Sequence, residues 1–152
     1  MIKNGLALAM MKKLTAWARS DALSAMPLES GCCAQSFFAG GVYGLQNAGL
    51  EPVFNPRHAD VLIVTGAMSN KLVPVVRTIY EQMPFPKSVV AVGACACGGG
   101  IFNENYAVLA DLTTVLPVDV FVPGCPPSLS AFKRAVMVLE EKIARKTREG
   151  TW

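Results

Sequence analysis

The sequence predicts an α/β fold, a small parallel sheet wound on both faces by helices. Three observations predict it. Short apolar runs rich in valine and isoleucine alternate with helical stretches through the middle and C-terminal parts. Those runs are apolar throughout rather than at every second residue, as in strands covered on both faces. Three of them end in glycine or in proline–glycine, where a turn leaves the sheet.

The elements follow in order. Residues 1–24 form an N-terminal amphipathic extension, with a helix from about Ile2 to Arg19 whose polar marks are Lys3, Lys12, Lys13 and Arg19. No stretch reaches the roughly 18–20 apolar residues a membrane span needs. Leu6–Met11 is followed at once by Lys12 and Lys13, which is not the pattern of a signal peptide, so the chain reads as mature and unexported. Such a helix lies on a membrane, on a partner subunit, or is an ordinary terminal helix.

Residues 25–152 form the main domain. Phe37–Ala48 reads as a helix carrying Gly40, Gly41 and Gly44, and Pro52–Asn55 as a short strand. Asp60–Thr65 is a strand ending in Gly66. Leu72–Gln82 is a helix that tolerates Pro74 in its first turn. Ser88–Val92 is a strand ending in Gly93, and Asp119–Val122 a strand ending in Pro123–Gly124. Ser128–Arg145 is an amphipathic helix with Leu129, Phe132, Val136, Leu139 and Ile143 at helical spacing. The count is about four strands, a small flavodoxin-like doubly wound sheet.

At 52% hydrophobic and 16% charged, the 152-residue chain is apolar enough to hide part of its surface against partners. Its net charge of +3 comes without a basic stripe interleaved with aromatics, so nucleic acid is not a partner. Its five cysteines are an odd number, which points away from a disulfide framework and toward metal or redox chemistry.

The topology gathers the cysteines. Cys95 and Cys97 follow "SVVAV" in the glycine-rich turn "GACACGGG", and Cys125 follows "DVFV". Both turns leave carboxyl ends of parallel strands, the edge at which such folds bind ligands. Cys32 and Cys33, in "ESGCCAQ", precede the first helix of the domain and reach the same edge. A lone buried cysteine is usually only a small hydrophobe, but five on one rim ask for another account. Four thiolates suit an iron–sulfur cube. Zinc sites prefer short pairs spaced by two to four residues, and this chain offers an adjacent pair, a pair one residue apart and a single. The glycine turn lacks the Gly-Lys-Ser/Thr ending of a phosphate loop. His58, the sole histidine, reads as a loop residue outside any ligand set.

On "GCC" at 31–33, "NPRHADVLIVTG" at 55–66, "NKLVPVVRTIYEQMPFPK" at 70–87, "GACACGGG" at 93–100 and "PVDVFVPGCPP" at 117–127, the chain resembles a known family. It is the small iron–sulfur subunit shared by respiratory complex I and the membrane-bound, energy-converting [NiFe] hydrogenases. The blocks occur in family order across roughly residues 14–143. The resemblance implies one [4Fe-4S] cluster held by Cys32, Cys33, Cys95 and Cys125; Cys97 matches no usual ligand position, and is a spare thiol beside the cluster or a substitute ligand for one of the tandem pair. The tandem pair leans toward complex I and its quinone-reducing relatives, and "NPRHADVLIVTG" and "GGGIF" toward the hydrogenases. Ser36 stands where the family usually carries an acidic residue.

The resemblance further implies an electron-transfer subunit without catalysis of its own, peripheral on the cytoplasmic side of a membrane complex. Its implied partners are a hydrogenase-large-subunit-like subunit, a ferredoxin-like iron–sulfur subunit and integral membrane subunits that pump ions. The small subunit of an energy-converting [NiFe] hydrogenase is the alternative within the family. A stand-alone zinc or redox-sensing module is the alternative outside it.

Overall fold

The structure, a computed structural model, describes residues 10, 11, 13–15, 17, 18, 22–38 and 43–149. Its sheet has five parallel strands: β1 Ser24–Leu28, β2 Glu51–Pro52, β3 Val61–Thr65, β4 Ser88–Val92 and β5 Val120–Val122, in the order β2-β1-β3-β4-β5. The helices are α1 Gly31–Phe38, α2 Tyr43–Gln46, α3 Val73–Gln82, α4 Ala94–Gly98 and α5 Leu129–Glu149. This is the flavodoxin-like doubly wound arrangement, with the chain order reversing between β1 and β3.

The strand count is five rather than about four. The additional strand, β1, is central and reads "SAMPL", with no β-branched residue and a proline at 27. Proline lacks an N–H and is normally confined to edges. Here the ladder alternates: the Ser24 carbonyl serves β3 through Asp60 N–H, and the Ala25 carbonyl serves the β2 side through Val53 N–H. Pro27 therefore faces the β2 side, and β2 makes its last pairing with Ala25. No ladder bond is lost there.

The expected helix over 37–48 is displaced. α1 starts at Gly31, so Cys32 and Cys33 lie inside its first turn rather than before it, and α2 follows from Tyr43. Of the N-terminal extension, residues 10, 11, 13–15, 17 and 18 are helical, with Met10, Met11, Leu14 and Trp17 exposed; the rest of the expected helix lies outside the described residues. Among the described residues, no helix is long and apolar enough to cross a membrane.

β3 and β4 are buried along their whole length, as their apolar runs require. Val61, Ile63, Val90 and Val92 pack under α2 and α5, against Leu45, Phe132, Val136 and Leu139. Leu62, Val64, Val89 and Ala91 pack on the other face, against Val76 of α3, Met83 just past its end and Ala96 of α4.

At the amino edge two aspartates tie neighbouring strands. Asp60 Oδ2 accepts Ser24 N–H at 3.2 Å, and Asp119 Oδ2 accepts Val89 N–H at 3.0 Å. The other oxygen of Asp119 holds Lys146 Nζ at 2.8 Å. Asp119→Ala strands a buried amide, so it should cost about 1–3 kcal/mol. Lys146→Ala removes a partly exposed ion pair and should cost less than about 1 kcal/mol. Denaturant titration of the two variants checks the ranking, and equal losses would contradict it.

Candidate functional site

Three turns meet at the carboxyl edge. The turn after β1 carries Cys32 and Cys33, the turn after β4 runs through Gly93 into α4 with Cys95 and Cys97, and the turn after β5 carries Gly124 and Cys125. β1 and β4 are not neighbours, because β3 lies between them. The chain leaving β1 must therefore pass over the end of β3 to reach the other turns.

Glycines make the crossing possible. A Cβ on Gly66, at the end of β3, would lie 2.0 Å from the Ser30 carbonyl oxygen. A Cβ on Gly93 would lie 2.4 Å from Cys33 Sγ, so that sulfur fills the space a side chain would take. Both glycines have positive φ, +70° and +94°, which disfavours any other residue. The β4 and β5 turns are joined directly: Gly93 N–H donates to the Val122 carbonyl at 2.8 Å, and Ala94 N–H to the Gly124 carbonyl at 2.7 Å.

The structure brings Cys32, Cys95 and Cys125 within electrostatic reach of Cys33, and Cys32 and Cys125 within reach of Cys95. Burial pushes the Cys33 thiol up to about 11, and Cys32, then Cys95 and Cys125, push it the same way. Burial also raises Cys95, reinforced by Cys125 and Cys32 and opposed by a hydrogen bond from the Ile101 backbone. Cys33 is buried, Cys95 half-buried, and Cys32 and Cys125 exposed; all are free.

Cys97 is placed apart. Its Sγ lies 3.6 Å from the Ala91 carbonyl, and it packs on the core under α3 and α4. Its thiol is raised by burial, with a hydrogen bond from the Val122 backbone working the other way. His58 is exposed in the turn Pro56–His58, before β3. Ser36 falls in α1, and its side chain lies outside the described residues.

Among the described residues, no three His, Cys, Asp or Glu side chains close on a single-ion point. A polynuclear group meets its ligands at separate atoms around its periphery. The glycine-lined edge, with four free thiols around it, fits such a group. Sequence reading passed over Ser30 and Thr65, which pin the crossing. Their one signal was a hydroxyl residue flanking each turn glycine, in "ESG" and "VTG".

Fold and edge together define the class: a doubly wound domain that presents sulfur where such folds bind ligands. Residues 31–139 match the family of the NADH ubiquinone oxidoreductase 20 kDa subunit. The chain belongs to this family and is a subunit of an oxidoreductase complex of the complex I type. It is 42% identical over 138 residues to an NADH-quinone oxidoreductase subunit of Geobacter sp. (strain M21), covering 90% of this chain and 81% of that protein. The same subunit from Geotalea daltonii is 41% identical over 140 residues, covering 91% and 82%. A chain in the structure of the membrane-bound sulfane sulfur reductase, an archaeal respiratory membrane complex, superposes with a TM-score of 0.79 at 31% identity, over 88% of this chain and 76% of that one.

Gly93→Ala should force Cys33 out of its pocket, while Gly98→Ala, with nothing within 4 Å of the added carbon, should not. Maleimide labelling located by peptide mass mapping checks this. Cys33 should label at the rate of exposed Cys32 in the first variant and stay protected in the second.

Proposed function

We propose that this chain is an electron-transfer subunit carrying one [4Fe-4S] cluster on Cys32, Cys33, Cys95 and Cys125. The observation that carries the reading is the convergence of these four thiols, from three separate turns, with half-buried Cys97 packed against the core instead. The cluster supplies one-electron oxidation and reduction. The chain's own residues supply the rest. Cys33, buried beside Gly93, half-buried Cys95 and the exposed Cys32 and Cys125 would hold the group. Glycine backbone lets N–H groups approach the sulfurs, which tunes a cluster's potential.

The surroundings suit an interface. Ile101 is 85% exposed and Tyr106 95%, both in the segment that follows α4, where the Ile101 backbone hydrogen-bonds the half-buried Cys95. Apolar side chains left bare around a redox edge mark a surface that a partner covers. We assign that partner as a hydrogenase-large-subunit-like subunit, with the terminal acceptor site between the two chains. A ferredoxin-like iron–sulfur subunit exchanges electrons with the cluster. Integral membrane subunits convert the released energy into ion pumping, and this chain sits peripherally on the cytoplasmic side. The curated relatives are named for quinone and the structural relative for sulfane sulfur. The acceptor is accordingly a quinone or a sulfur compound.

Cys125→Ser in the purified complex should remove the cluster from this subunit, seen as about four irons fewer per complex and loss of a reduced-state electron paramagnetic resonance signal. Cys97→Ser should leave iron content and signal near wild type. Equal loss in both variants would overturn the ligand assignment.

A further inference from the structure

Strand β1 ends at Leu28, and only Gly31 stands between Ser30 and Cys32. Two hydroxyls, rather than a strand ladder, hold this turn. Thr65, the last residue of β3, is 1% exposed. Its Oγ1 donates to the Leu28 carbonyl at 3.1 Å and accepts Ser30 N–H at 3.1 Å. Ser30 Oγ donates back to the Thr65 carbonyl at 2.5 Å, with the Ala67 carbonyl 3.1 Å away. The Ser30 carbonyl also stands 3.3 Å from Thr65 Oγ1, but a hydroxyl has one proton and the shorter contact takes it. Side chain and backbone of each residue thus bind the other, across the point where the strand order reverses.

Successive side chains leave an α-helix about 100° apart. Adjacent cysteines can therefore serve one site only if the helix start is held at a fixed rotation. In this chain the rotation puts Cys32 outward and Cys33 against Gly93. We propose that Ser30 and Thr65 are positioning residues for the tandem thiols: their reciprocal hydroxyl bonds fix the rotation of the first turn of α1. The functional meaning rests on the cluster reading above, whereas the thiol placement does not.

The test uses the full chain, both freed of iron and within its complex. In the iron-free chain, maleimide labelling with peptide mass mapping compares Cys33 with Cys97, which lies outside the latch. Thr65→Val and Ser30→Ala should each raise the Cys33-to-Cys97 labelling ratio roughly tenfold. Thr65→Ser, which keeps the hydroxyl, should restore the wild-type ratio. In the loaded complex, Thr65→Val and Ser30→Ala should alter the line shape of the reduced-state resonance signal, and Thr65→Ser should not.

An unchanged ratio in Thr65→Val and Ser30→Ala overturns the proposal. So does a rise shared equally by Cys97, which would mark general loosening. Should Thr65→Val fail to fold, Ser30→Ala decides alone, since Ser30 is only half-buried. A wild-type complex without a cluster signal would defeat the cluster reading, and the labelling ratio would still decide the positioning.

Discussion

The carboxyl edge depends on one contact, the Cys33 sulfur against the bare α-carbon of Gly93. There the chain from β1, the start of α4 and, through two backbone hydrogen bonds, the turn after β5 are brought together. Each partner comes from a different part of the sequence, so loop-closure entropy opposes the meeting. The sheet order lowers that cost by fixing the carboxyl ends side by side. The glycines then let backbones and sulfur come closer than any Cβ permits. A side chain at Gly66 would lift the crossing chain off β3, and one at Gly93 would evict the sulfur.

The two edges of the sheet use different chemistry. At the amino edge, carboxylates of Asp60 and Asp119 accept amides at the starts of neighbouring strands, and Lys146 balances one of them. At the carboxyl edge the ties are uncharged: hydroxyls, carbonyls and glycine backbone. These ties themselves add no fixed charge beside the thiols. Burial, and after it the neighbouring thiols, raise Cys33 and Cys95. Metal binding through them therefore releases protons.

Much of this was legible in the sequence, for identifiable reasons. β3 and β4 are buried on both faces, so their valine-rich runs announce them, and α5 shows its packed face in Phe132, Val136, Leu139 and Ile143. β1 was not legible, because Pro27 and the lack of branched residues argue locally against a strand. Only its place beside the short β2 makes proline acceptable. The start of α1 was hidden by Gly31, whose positive φ lets it turn directly from Ser30 into the helix. The Ser30–Thr65 latch joins residues 35 apart, and no local pattern reports such a bond.

The split among the five cysteines follows from helix geometry. Cys95 and Cys97 lie two apart in α4. In a strand, residues two apart share a face, and both would have looked onto the edge. In an α-helix they point about 200° apart. Cys95 therefore faces the other thiols, while half-buried Cys97 packs against the core beside the Ala91 carbonyl. The adjacent pair in α1 differs by only about 100°, close enough for both to border one site from two sides. The short helix after β4 thus excludes one thiol by the same rotation that lets the tandem pair work together.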